Sequence, residues 1–338
     1  MKKEQGFSAI EALIATTIAV ILMAGALSSF NDSATINESA TQMLDLEQNI
    51  RAGMNFVATD FVSAGWSIPS GGIPIPSGDG VTRPTRPGPP GTVYTFNSQT
   101  IAAVTPGPRL GLKWNGKDTD IVNILYADDS ENSFPLNDHT LSNITFGGDI
   151  VTVSDQTPMD KMDHPIVVGD LIALTNAKGS TLQYVTGVAG QTISFAVGDP
   201  MNLNQPDAPA GSITKIRNDD GTYPPTTAKR VWLVTYYIDS LEDPETPRLI
   251  RRINDRPGRT VALVLEDFQL SYDLVDGVNN PANIKEPVDP NTPSQIRKAN
   301  ILLSGRSASV MRKTGEFLRR GLTTQVSLRS LSYIDRYR

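Results

Sequence analysis

From Phe7 to Phe30 the chain holds one charged side chain, Glu11, and from Ala12 to Phe30 it holds none. A run of that length matches the roughly 20 apolar residues that a helix needs to cross the ~30 Å hydrocarbon layer of a bilayer. A charged group inside a lipid-spanning helix costs at least ~2.5 kcal/mol on insertion scales, so where one occurs it has a partner and a purpose. Lys2 and Lys3 lie ahead of the run. The only cation that can be built in beside Glu11 is a new N-terminal amine, made by cutting between Gly6 and Phe7.

Three plainer accounts meet the same residues. A secretory signal peptide would use Lys2 and Lys3 as its basic region and Ala24-Gly25-Ala26 as its cleavage site, but Glu11 would then sit in its apolar region. A plain signal anchor from Ala12 to Phe30 has no need of Glu at that place. A buried soluble helix conflicts with the uncharged stretch from Ala12 to Asn31.

Gly6-Phe7-Ser8-Ala9-Ile10-Glu11, behind a short basic leader, resembles the class III signal of type IV pilins and pseudopilins: Gly before the cut, Phe after it, Glu at the fifth position of the processed chain. The resemblance implies that a prepilin peptidase removes residues 1–6 and methylates the amine of Phe7. It also implies that Glu11 faces the Phe7 amine of a neighbouring subunit in a filament. Opposite charges attract far more strongly in a low dielectric than in water, and each removes the other's unpaired state.

Lys2 and Lys3 place the leader on the cytoplasmic side, so the chain beyond Phe30 crosses the membrane. The absence of cysteine means only that the domain is not stapled by disulfides. With 39% hydrophobic residues, 24 Pro and 27 Gly, the remainder reads as globular and loop-rich rather than disordered. Formal charge is uneven: residues 297–338 carry net plus 8, leaving minus 14 elsewhere for a total of minus 6. Arg306, Arg312, Arg319 and Arg329 are scattered without aromatic interleaving, which favours solvated strand faces and subunit contacts over nucleic acid.

Ile36, Ala40, Met43, Leu46, Ile50, Met54, Val57 and Phe61 recur at steps of three and four, one helical face. With no Pro before Pro69, the spacing predicts one helix from Ser8 to Ala64, stopped at Gly65. The Pro- and Gly-rich stretch from Gly65 to Gly91 predicts an extended loop, covering a sheet edge or offering a proline-recognition site. Beyond Thr92, short β-rich segments alternate with turns, from Val93–Phe96 through Arg230–Ile238 to Thr323–Leu331, the pattern of antiparallel sheet.

The expected architecture is therefore α+β: a long N-terminal hydrophobic helix packed on a C-terminal antiparallel β-sheet domain with a β-rich insertion. In segments, this gives a leader at 1–6, a transmembrane or filament-core half at 7–30, an amphipathic half at 31–65, and a β-rich globular domain at 66–338. Residues 140–215 form the expected inserted subdomain.

Asp60-Phe61-Val62-Ser63-Ala64-Gly65-Trp66 is similar to the signature that closes the long helix of PilW-type minor pilins. Val234–Ile238, Leu265–Tyr272 and Leu322–Arg329 resemble strand segments of that family, related in turn to J-type minor pseudopilins. Val62 departs from the family's usual Arg, Ser330 from its usual Asn, and no helix-bending Pro is present in the anchor.

Catalytic and metal chemistry finds little footing. Two histidines, His139 and His164, and no cysteine argue against a zinc site or a cysteine nucleophile. No glycine-rich phosphate loop is present. Asp155, Asp160 and Asp163 beside His164, Asp219 with Asp220, and Asp118 with Asp120 offer oxygen ligands of the kind calcium takes. None has EF-hand spacing, and Asx-rich turns account for them as well. Asn143-Ile144-Thr145 fits the glycosylation sequon, a pattern common by chance. No enzyme activity and no cofactor are expected, calcium being the one ion worth testing.

The resemblance implies a minor pilin of a type IV pilus, held in the bacterial inner membrane with its C-terminal domain in the periplasm and later placed in the pilus, at or near the tip. Implied partners are the prepilin peptidase, other minor and major pilins, the inner-membrane assembly platform and a large tip adhesin. Two alternatives stand beside it: a minor pseudopilin of a type II secretion system and, from another class, a pilus-borne adhesin or DNA-binding module.

Overall fold

The computed structural model describes residues 8–128, 141–154, 159, 164–240 and 246–334. Helix α1 runs unbroken over Ala9–Ser63, 55 residues and so about 80 Å long. It begins where Ser8 adopts extended backbone and its hydroxyl accepts from the Ile10 N–H at 3.3 Å. It ends where Gly65 takes a φ of 75° and turns its N–H to the carbonyl of Leu125, 2.9 Å away. A side chain at Gly65 would also meet Leu331 Cδ2 at 2.9 Å and Ala103 Cβ at 3.1 Å. Glycine is thus required there by conformation and by space.

The principal strands are β1 (Val104–Gly107), β2 (Ile121–Ala127), β3 (Leu141–Ile144), β4 (Ile150–Val153), β5 (Leu171–Asn176), β6 (Gly179–Tyr184), β7 (Gly187–Ala189), β8 (Thr192–Ser194), β9 (Thr227–Asp239), β10 (Arg248–Ile253), β11 (Arg259–Leu263), β12 (Leu265–Leu274), β13 (Ile296–Val310) and β14 (Phe317–Ser327). The short helix α2 (Arg329–Ile334) follows. Every pairing is antiparallel. The α+β layout, one long apolar helix on an antiparallel β domain, is the one expected from the sequence.

Strand β9 is the spine of a seven-stranded sheet. On one edge, residues 231–236 pair with β2; on the other, residues 227–231 pair with β5 and residues 234–239 with β10. Asn254 closes the gap between those two end-to-end neighbours. Its N–H donates to the Leu233 carbonyl at 2.8 Å, its side-chain oxygen accepts from the Leu233 N–H at 3.0 Å, and its amide donates to the Gly169 carbonyl at 3.3 Å. Asn254 is fully buried with a φ of 51°, a backbone region that asparagine tolerates. A second sheet, β12–β13–β14, carries α1 across one face.

Leu46, Ile50, Met54, Val57 and Phe61 from the helix, Phe268 and Leu270 from β12, and Ile301 and Leu303 from β13 form the main core with Val234, Tyr236 and Ile238 of β9. The predicted apolar stripe therefore docks only from its middle onward. Residues 8–34 are exposed on every side, and Ile36 and Ala40 stand in solvent.

The described part of residues 140–215 does not fold as one inserted unit. The hairpin β5–β6 is hydrogen-bonded into the large sheet along β9, whereas β7–β8–β4–β3 form a separate four-stranded sheet. The cause is two-sided burial: Leu171 and Ala173 face one cluster and Ile172 and Leu174 another, so the hairpin has no free face to set apart. The Pro-rich loop covers the sheet and pairs with the segment that follows it: Ile73–Pro74 with Thr100–Ile101, and Thr85–Arg86 with Tyr94–Thr95. Arg86 is drawn inside, its Nη2 donating to the Thr105 carbonyl at 3.0 Å and its Nε to Asn123. Burial pulls this guanidinium down to about 10, against the charges of Tyr272, Glu286 and Tyr94. The last predicted strand, Thr323–Leu331, stops at Ser327; Leu331 instead sits on α2, buried against Gly65.

Candidate functional site

Two regions concentrate the chemistry of α1: its uncovered first half and the polar clamp at its last turn. An eighteen-residue window of the first half has a mean hydropathy of 2.2, and none of it is buried. By length and composition it fits a transmembrane helix. Polar side chains within it are satisfied locally: Thr16 donates to the Ala12 and Leu13 carbonyls at 3.0 Å each, and Thr17 to that of Leu13 at 2.8 Å. Such back-bonding lets hydroxyls sit in an apolar medium at little cost.

Glu11 closes a capping box, its Oε2 accepting from the Ser8 N–H at 3.0 Å. Among the described residues Oε1 has no partner. Gly6 and Phe7 lie outside the described residues.

At the other end of the helix, Asp60 is buried and fully engaged. Arg251 of β10 grips it with both arms, Nε to Oδ2 at 2.7 Å and Nη2 to Oδ1 at 3.0 Å. The Tyr126 hydroxyl donates to Oδ1 at 2.9 Å, and the Tyr236 hydroxyl donates to Oδ2. One helical carboxylate thereby binds three strands, β2, β9 and β10. Burial, then the charge and hydrogen bond of Asp60, drive both tyrosines well above the ordinary phenol range. Burial opposes the Arg251 charge, but the hydrogen bonds and charge of Asp60 outweigh it and raise its pKa.

Beside this clamp the end of α1 and the start of α2 converge. Val62, Ser63, Gly65 and Trp66 line a groove of about 570 Å³ together with Tyr126, Arg329 and Ser330. Trp66 is 51% exposed at its rim. The segments singled out as Asp60–Trp66 and Leu322–Arg329 are therefore neighbours in space, although more than 250 residues separate them in sequence. Sequence reasoning marked Asp60 but missed Arg251, Tyr126 and Tyr236. Their one legible signal is that Asp60 stands beside Phe61 and one turn from Val57 on a face that is otherwise apolar, a placement that demands a buried partner.

The remaining sequence candidates scatter. Asp155, Asp160, Asp163 and His139 lie outside the described residues, and His164 is exposed. Asp220 is spent on its own turn, accepting from the Thr222 N–H at 2.9 Å and hydroxyl at 2.6 Å, which hold its pKa low. Asp219, next to it, is exposed. Asp120 is buried and accepts from the N–H groups of Arg109 and Leu270 at 2.9 and 2.7 Å, while Asp118 faces Lys113. Among the described residues no three His, Cys, Asp or Glu gather to hold a metal ion. Glu266 collects cations instead: Arg319 at 2.9 Å and Arg306 at 3.6 Å, with Arg306 stacked 3.9 Å over Phe317.

Comparison with protein-family models, with curated proteins and with solved structures finds no match.

Proposed function

We propose that this chain is a minor pilin of a type IV pilus, made as a membrane-anchored precursor, cut between Gly6 and Phe7, and acting in the priming of assembly at or near the filament tip. The observation that carries the reading is a single 55-residue helix whose docked half is clamped to a β domain and whose other half is apolar and uncovered. A helix half that buries nothing within its own chain finds its packing elsewhere, first in lipid and then among like helices. Glu11 gives that half one polar address. Its Oε2 is used in the cap, among the described residues its Oε1 meets no partner, and the resemblance assigns to it the Phe7 amine of a neighbour. The size of the β domain, carried on one side of the helix, suits the end of a filament better than a uniform shaft.

The test is the N-terminal residue of the mature protein, read by mass spectrometry from cells with and without the prepilin peptidase. A methylated Phe7 that disappears without the enzyme supports the proposal. An uncut Met1, or a start near Leu27, ends it.

A further inference from the structure

The hairpin β13–β14 runs back along α1 toward its uncovered half. Gly305 lies against Leu46, Ser309 accepts from Gln42 Nε2 at 2.9 Å, and Arg312 at the tip pairs with Glu38 at 3.3 Å. The tip turn is tight, with the Met311 N–H on the Glu316 carbonyl and the Gly315 N–H on the Met311 carbonyl. It thus marks the end of the domain that looks toward the apolar span. The span ends at Phe30, followed by Asn31 and Asp32. Seven residues of helix separate Asn31 from Glu38, about 10 Å. The headgroup layer outside the hydrocarbon is about 5–7 Å deep. A long basic side chain on the tip bridges the few ångströms left over.

The tip is built for such a contact. Beyond its last paired residues, Val310 and Phe317, the hairpin carries Arg312 and Lys313 against one acid, Glu316, in a chain whose total charge is minus 6. The Arg312 side chain is 79% exposed despite its contact with Glu38, and Lys313 is exposed beside it. Val310, 45% exposed, adds an apolar group at the same end. Basic and apolar side chains together are the composition of a membrane interface.

We infer that the β13–β14 tip, through Arg312 and Lys313, docks on anionic lipid headgroups while α1 is anchored in the membrane. The contact fixes how the domain stands on the bilayer before the chain leaves it. This inference rests on the proposed anchoring of the first half of α1.

The natural sequence has no cysteine, so Thr314→Cys in the full chain carries a single fluorophore at the tip. The labelled protein is reconstituted in vesicles of phosphatidylcholine alone, or with phosphatidylglycerol, each doped with headgroup-nitroxide lipid as quencher. At about fivefold per basic residue near an anionic surface, two cations favour the docked state by about 25-fold. Quenching is expected to be strong with phosphatidylglycerol, weak without it, and reversed by high salt. Arg312→Gln with Lys313→Gln, both exposed, should abolish the difference while leaving the circular dichroism unchanged. If the protein floats with the vesicles but quenching is the same in both lipids, the docking is refuted and the anchor stands. If the protein does not float with either, the anchor fails and the inference falls with it.

Discussion

Asp60 shows how much one side chain can settle. Asp60→Asn keeps the shape but leaves the Arg251 cation without a counter-ion inside the domain, and removing one partner of a buried pair costs about 3–5 kcal/mol. Arg251 keeps some solvent access, its side chain being 21% exposed, so a loss near about 3 kcal/mol is expected in denaturant titration. Alkaline pH tests the same clamp. Tyr126 and Tyr236 have folded pKa values above their unfolded value of about 10, so the unfolded chain loses its protons first. Their contribution is complete below about pH 10 and drains away as pH rises through that value toward the folded ones. Tyr184, Tyr223, Tyr237 and Tyr272 are shifted the same way. Arg86, lowered to about 10, acts in the opposite sense but is one group against six. Stability followed by denaturation should therefore fall steeply above about pH 10, and Tyr236→Phe should make the fall shallower.

Elements are where the sequence speaks most clearly. The helix was legible almost to its ends, Ser8 to Ala64 expected against Ala9–Ser63 observed, because capping, the lack of Pro and the terminal glycine all act locally. Strand β9 was legible for the same reason, being a long β-branched and aromatic run. The division of residues 140–215 was not. Whether a hairpin joins its neighbour in sequence or a distant strand depends on which of two apolar faces is covered, and alternation alone does not say. The partners of Asp60 were hidden likewise, since Arg251 is 191 positions away. Gly65 belongs to this scale as well. Gly65→Ala combines a strained left-handed backbone with a methyl pressed on Leu331 and Ala103, and should cost about 2–3 kcal/mol, seen as a lowered midpoint of unfolding without change in its slope.

Across the whole molecule, the docked and undocked halves of α1 have separate duties. Residues 8–34 bury nothing in the domain, so removing residues 1–35 should yield a water-soluble protein whose unfolding midpoint stays within a degree or so of that of the full chain in detergent, measured by thermal melting. Glu11→Ala, by contrast, should leave membrane insertion intact, indeed easier by about 2.5 kcal/mol on insertion scales, yet impair incorporation into filaments, read as the amount of subunit in sheared pili. Equal incorporation would remove the role proposed for Glu11.

The arrangement of α1 on its domain also sets how the protein bears load. A pull on the free half, directed along the axis, is resisted at once by the Glu38–Arg312 pair, the Gln42–Ser309 bond, the stripe from Leu46 to Phe61 and the Asp60–Arg251 clamp. These contacts lie side by side along the line of force and shear together, so none opens ahead of the rest as teeth of a zip would. Tension entering through the apolar end is spread over more than thirty ångströms of helix before it reaches the sheet, about 1.5 Å for each residue from Glu38 to Phe61.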